Sequence, residues 1–151
     1  MKKRMMVCFG IRRLMSEKHQ DQARAFLCQL QLLFENDFEI EECVPIELAN
    51  GRYIWSANSC LPADVLIVAL FDRPARSIEF KIRQQEGLTA VPILVLGAFY
   101  HDAPTPDYTN VCIDMNSGGA YKFHEWVFAS PDDGLVKVNE FLKANKLPHG
   151  T

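Results

Sequence analysis

Two stretches of this 151-residue chain gather residue types able to hold an anion or act on an electrophilic carbon. Between Asp72 and Glu79, two acids alternate with Arg73, Arg76 and Ser77 at the start of an expected helix, where free amides and the helix dipole favour a phosphate or carboxylate. Glu79 falls in the first turn of that helix. Its carboxylate either faces solvent and offsets the dipole, or turns into a cleft and attacks carbon as a nucleophile. The second stretch, Gly10-Ile11-Arg12-Arg13, closes the first apolar run of the chain. A third loop, Gly97 to Asp102, is expected beside these two at one edge of a sheet.

Other polar residues carry less chemistry. His101-Asp102 and His124-Glu125 each set an imidazole beside a carboxylate, a pairing suited to acid–base work or metal binding, but with four widely spaced histidines surface or core roles fit better and no metal site is expected. Asn116-Ser117-Gly118-Gly119 reads as a turn, or as a flexible rim that touches substrate. Asp64 precedes an apolar strand and is expected at its amino end, in a structural role. Gly10 stands alone rather than in G-x-G-x-x-G, and no G-x-x-x-x-G-K-[ST] occurs, so dehydrogenase and P-loop NTPase functions lose their main support.

Composition narrows the class. With 48% hydrophobic and 23% charged residues the chain is of ordinary globular type, and no apolar run approaches the roughly 20 residues of a spanning helix. The run from Met5 to Phe9 behind Lys2-Lys3-Arg4 is too short for a secretory core, which predicts a cytoplasmic protein without membrane contact. A net charge of −3 with scattered basic residues argues against nucleic acid as a partner. The five cysteines, Cys8, Cys28, Cys43, Cys60 and Cys112, show neither zinc spacing nor a disulfide framework and read as buried free thiols.

The elements that must position these residues follow from periodicity. Met5 to Phe9 reads as a strand buried on both faces. A helix is expected from the N-cap Ser16, with Ala23, Phe26, Leu27, Leu30, Leu33 and Phe34 on one face. Phe38 to Val44 alternates as an edge strand, and Tyr53 to Cys60 carries a weak helical signal. Val65 to Leu70 is a central parallel strand, Ser77 to Gln85 a helix, and Val91 to Leu96 another buried strand. His101 to Asp107 reads as a loop, Val111 to Ile113 and Tyr121 to Phe128 as late strands. Ser130-Pro131-Asp132-Asp133 opens a last helix that buries Leu135, Val138, Phe141 and Leu142.

This order predicts an α/β fold: one flavodoxin-like or Rossmann-like three-layer domain over residues 1–151, with a mainly parallel sheet and a flexible tail at 146–151. Ligands are expected at a switch point of the sheet, on loops leaving the carboxyl ends of its first and third strands.

Val7-Cys8-Phe9-Gly10 with Arg13 beyond, Ala63-Asp64-Val65-Leu66-Ile67-Val68, Ser77-Ile78-Glu79-Phe80 and Pro92-Ile93-Leu94-Val95-Leu96 together give a pattern that resembles the nucleoside 2-deoxyribosyltransferase-like family, which includes nucleotide N-glycosidases. The resemblance spans roughly Met5 to Lys143. It implies cleavage or transfer at the N-glycosidic bond of a nucleoside or nucleotide, with Glu79 attacking the anomeric carbon and no cofactor. It also implies that Ser77 and the amides near Gly10 hold a phosphate or sugar hydroxyl, that Arg13 is a phosphate partner, and that Asp72 and Asn116 line the substrate site, Asn116 in a neighbouring subunit of a homodimer. The chemistry is physically apt, because a carboxylate stabilises an oxocarbenium-like transition state before bonding to it.

The chain departs from the family where a tyrosine usually ends the first strand, here Val7-Cys8-Phe9, and where an acid usually precedes Ala63, here Trp55 to Ser59. Arg76-Ser77-Ile78 also replaces the glycines that usually precede the nucleophile. A similar Ser-x-x-Glu-like opening occurs in the related TIR domains, which makes NAD a further substrate to consider. The alternatives are a nucleotide-binding module without turnover, and a receiver-like regulatory module with Asp72 as phospho-acceptor. The acidic pair such a receiver needs after its first strand is replaced by Gly10-Ile11-Arg12-Arg13.

Overall fold

The computed structural model describes residues 2–10, 15–44, 46–49, 52–55, 60–74, 91–99, 109–117, 121–128 and 131–150. Their elements run β1 (Lys3–Cys8), α1 (Glu17–Phe34), β2 (Phe38–Glu42), β3 (Ile46–Ala49), β4 (Arg52–Trp55), β5 (Val65–Pro74), β6 (Ile93–Phe99), β7 (Thr109–Ser117), β8 (Tyr121–Phe128) and α2 (Pro131–Ala144). The helix expected over Ser77 to Gln85 and the loop over His101 to Asp107 lie outside the described residues.

Six strands form one sheet in the order β2-β1-β5-β6-β7-β8. The first four are mutually parallel, so that among them the second strand flanks the first on one side and the third and fourth follow on the other. This is the parallel α/β arrangement of flavodoxin-like and Rossmann-like folds. β7 and β8 extend it as an antiparallel pair beyond β6. As the acid-interleaved pattern of Phe38 to Val44 predicts, β2 is an edge strand.

The central strands carry the core. Met5, Val7 and Phe9 of the first segment, Val65, Ile67 and Ala69 of β5, and Leu94 and Leu96 of β6 alternate onto the face covered by α1 and α2. Met6, Cys8, Leu66, Val68, Leu70, Ile93 and Val95 occupy the other face and are equally inaccessible to water. Burial on both faces explains why these strands read as uninterrupted aliphatic runs.

Ser16 starts α1 as expected: it is extended, with φ −61° and ψ 158°, and its Oγ accepts a hydrogen bond from the His19 amide at 3.3 Å. Ala23, Phe26, Leu30 and Phe34 form the buried stripe, with Leu27 partly buried against the core. Leu33, expected with them, is 56% exposed. It sits in the last turn on the flank of the stripe, next to the buried Phe34. In α2 the expected apolar positions Val138, Phe141 and Leu142 are fully buried and Leu135 packs partly against them.

Several boundaries differ from those read in the sequence. Over Tyr53 to Trp55 the weak helical signal gives way to β4, which pairs antiparallel with β3 through Ile46↔Trp55 to Ala49↔Arg52 in a separate two-stranded sheet, while residues 56–59 of that expectation lie outside the described residues. Between the paired Ala49 and Arg52 stand Asn50-Gly51, the strongest short-range hairpin signal a sequence offers. β5 does not stop at Leu70 but continues to Pro74, and β6 runs past Gly97 to Phe99.

Beyond α2 the chain leaves the helix through a capped end. Lys146 takes φ 57°, its amide donates to the Lys143 carbonyl at 3.1 Å, and the Leu147 amide donates to the Leu142 carbonyl at 2.9 Å. These are the two bonds of a Schellman cap, and Leu147 packs on the core beside it. Asn139 then holds Gly150, accepting from its amide at 2.7 Å and donating to its carbonyl at 3.2 Å.

Phe141 lies at the centre of this packing with no exposed surface. Phe141→Ala is expected to lower the unfolding free energy by about 3–5 kcal/mol in urea titration. Val136→Ala on the exposed side of the same helix should change it by no more than about 0.5 kcal/mol.

Candidate functional site

The connection from β1 leads to β2 on one side and the later chain returns to β5 on the other, so the order of the parallel strands reverses between β1 and β5. Adjacent crossovers diverge at such a point and leave a crevice outside the carboxyl ends of the strands, where open α/β sheets bind ligands. The last paired residues of β1 and β5 are Cys8 and Val68. Gly10 and Asp72 therefore both follow the pairing at this edge.

Gly10 adopts φ +81°, a conformation that L side chains rarely take. Its amide donates to Cys8 Sγ at 3.3 Å, folding the turn back on the strand it leaves. A Cβ at this position would stand 3.4 Å from Leu70 Cδ2 and 3.9 Å from Met15 Cε, so the bare backbone of Gly10 abuts the segment that carries Asp72.

Asp72 lies in an irregular stretch of β5. Pairing with β6 proceeds regularly to Leu70↔Gly97 and resumes at Pro74↔Ala98, leaving Phe71, Asp72 and Arg73 opposite no residue of β6. A bulge bends and twists a strand locally, and bulges recur where a strand end is re-aimed beside a site. Asp72 is thus placed on an irregular strand end at the switch point rather than in the loop expected from Phe71 onward.

The remaining predicted residues separate into two groups. Arg13, Ser77 and Glu79, with His101 and Asp102, lie outside the described residues. Asn116 does not join Gly10 and Asp72 within one chain. β7 runs antiparallel to β6, with Met115 opposite Ile93 at the start of β6, so Asn116 stands at the amino edge of the parallel strands. His124 and Glu125 are successive residues of β8, opposite Asp114 and Ile113.

The amino edge also holds the residues read as structural. Asp64 Oδ2 accepts from the Arg4 amide at 2.7 Å, and the Asp64 amide donates to the Arg4 carbonyl at 2.9 Å. This reciprocal clasp sets the register of β1 against β5. It confirms Asp64 as a strand-start residue, and with it the basic Lys3-Arg4 pair is built into β1 far from Gly10.

One cluster at the carboxyl edge escaped the sequence reading. Cys8 ends β1, Cys43 follows β2 with its amide donating to the Val7 carbonyl at 2.8 Å, and Cys60 precedes the cis Leu61–Pro62 bond. All three are free and buried, whereas Cys28 on α1 is exposed. The sulfurs of Cys43 and Cys60 lie 3.6 Å apart, joined by a thiol–thiol hydrogen bond. That bond pulls the Cys43 pKa down, but the hydrogen bond with Cys8 and burial outweigh it, and the net direction is upward. For Cys60, the bond with Cys43 and burial both push upward. Their wide separation in sequence conceals such a cluster, because only the parallel pairing of β1 and β2 brings Cys8 beside Cys43.

Among the described residues, no group of three or more histidine, cysteine or acidic side chains is arranged to hold a metal ion, and no helix is long and apolar enough to cross a membrane. Fold and edge together define an α/β protein whose four parallel strands have a switch point between β1 and β5. No known protein family and no curated protein matches the chain.

Two outcomes follow from this geometry. Gly10→Ala should cost about 1–2 kcal/mol of stability in denaturant titration, because it places a Cβ in a left-handed turn. Alkali should destabilise the fold through the thiols: the unfolded chain releases its thiol protons near the ordinary pKa of 9.0, while the folded chain keeps them. Stability is therefore retained below that pH and falls above it, by about 1 kcal/mol per pH unit for each thiol. The slope should flatten in Cys60→Ala when unfolding is followed from pH 8 to 10.5.

Proposed function

We propose that the chain cleaves or transfers the N-glycosidic bond of a nucleoside or nucleotide at the crevice between β1 and β5. The observation that carries this reading is the meeting of Gly10 and the Asp72 strand end at the switch point. A glycine with φ +81° leaves backbone bare where a sugar or phosphate must approach closely. The resemblance in the residue pattern, from Val7-Cys8-Phe9-Gly10 to Ser77-Ile78-Glu79-Phe80, supplies the chemical class.

The reaction runs as a double displacement. The Glu79 carboxylate attacks the anomeric carbon, and the bond to the base breaks with its electron pair leaving on the base, which takes up a proton. The glycosyl ester is then resolved by water, giving free sugar, or by a second base, giving a new nucleoside. Arg13 and Ser77 hold a 5′-phosphate or sugar hydroxyl in this scheme, Asp72 orients the sugar, and no cofactor is consumed. Asn116, at the opposite edge of the sheet, takes part only when a second subunit of a homodimer presents it.

A second reading keeps the crevice and dispenses with turnover. Asp72 stands at the carboxyl end of the third parallel strand, where a regulatory module would carry an acceptor or bind a nucleotide. Free base is the discriminating product.

Wild-type protein incubated with nucleosides, nucleoside 5′-monophosphates and NAD should release base, followed by chromatography, and Glu79→Ala should reduce the rate at least a hundredfold, on the order expected when a catalytic group is removed. Thermal shift on the same panel separates the readings. A shift without base release favours the binding module, and neither release nor shift overturns both.

A further inference from the structure

We propose that Cys43 and Cys60 form a reversible disulfide that staples the base of the β3–β4 excursion. Their sulfurs already touch at 3.6 Å inside the protein, so side-chain rotation and a small backbone shift bring them to the bonding separation of about 2.0 Å. The two residues bracket the hairpin: β3 and β4 lie between them and form a sheet separate from the six-stranded one. Cys43 is fixed to the end of β1 through its amide bond to Val7, and Cys60 stands five residues before β5 opens at Val65. A bond between them therefore ties the two ends of the excursion to each other beside the end of β1.

The arrangement favours a thiol pair over a metal site, since among the described residues no three ligating groups converge on one point. Cys8, beyond Cys43, belongs to β1 and is engaged by the Gly10 amide at 3.3 Å. The inference stands independently of any glycosidic chemistry at the crevice.

The oxidant is a small-molecule disulfide such as oxidised glutathione. One protein thiolate attacks it, forming a mixed disulfide and releasing one glutathione thiolate. The second protein thiolate then displaces the other, so that two protein thiols and one glutathione disulfide become one protein disulfide and two glutathione thiols, which carry the two protons. Cys43 is 4% exposed and Cys60 fully buried, so exchange proceeds through opening of the excursion and is slower than glutathionylation of the exposed Cys28.

The full-length folded protein, incubated with oxidised glutathione at pH 8, is alkylated, digested with trypsin and a glutamate-specific protease, and mapped by mass spectrometry. Cleavage after Glu42 and Arg52 separates the two cysteines. The expected result is a linked pair of peptides containing Cys43 and Cys60 that dithiothreitol dissociates, and a higher urea midpoint for the oxidised protein than for the reduced one. Recovery of both residues as alkylated thiols, a link from either to Cys8, Cys28 or Cys112, or a midpoint that falls on oxidation would overturn the proposal. Because the mapping uses the natural sequence, it does not depend on the folding of a cysteine variant; Cys43→Ser serves as a second arm and should yield no linked pair.

Discussion

Burial of β1, β5 and β6 on both faces is the constraint from which the rest of the structure follows. A strand with no wet face cannot carry polar side chains along its length, so Met5 to Phe9, Val65 to Leu70 and Ile93 to Leu96 are apolar throughout. Chemistry is displaced to the strand ends. Their parallel direction then makes the two ends unequal, gathering the exits of β1, β2, β5 and β6 on one edge and their entries on the other.

The entry edge is closed by backbone and charge: Asp64 clasps Arg4 across β1 and β5. The backbone groups of Arg4 and Asp64 are paired with each other or with the Asp64 carboxylate, which ties the two strand starts together. At the exit edge regularity is lost instead. Gly10 turns through a positive φ, β5 bulges between Leu70 and Pro74, and three thiols pack where β1 and β2 end. Irregular backbone at a buried edge is where polar groups become available for recognition.

The continuous aliphatic runs made the parallel sheet legible in the sequence, because two-sided burial writes itself as composition. The edge position of β2 was legible from its alternating acids, and α1 from a stripe whose members Ala23, Phe26, Leu30 and Phe34 are buried. What failed to show had physical reasons. Tyr53 to Trp55 misled because aromatic residues that suit a helix face compete with a hairpin whose signal rests on the dipeptide Asn50-Gly51 alone. The hold on residues 146–150 depends on Lys146 adopting a left-handed conformation that glycine usually supplies, so no glycine marked it. Gly10 and Asp72 were legible as neighbours because strand direction alone places them at one edge. Asn116 was not separable from them, since that needs the antiparallel sense of β7.

The thiol cluster shows why spacing alone is a poor guide at such an edge. Cys8 and Cys43 are brought together by the register Val7↔Glu42, one residue short of each. Slipping that register by one residue would turn every side chain of β2 to its other face and carry Cys43 away from Cys8. Phe38 prevents the slip: it is buried on the α1 face at the start of β2 and would be forced outward. The same hydrophobic anchor that fixes the edge strand thus fixes Cys43 beside Cys8 at its far end. Core packing at one edge of the sheet and sulfur chemistry at the other are therefore set by a single register.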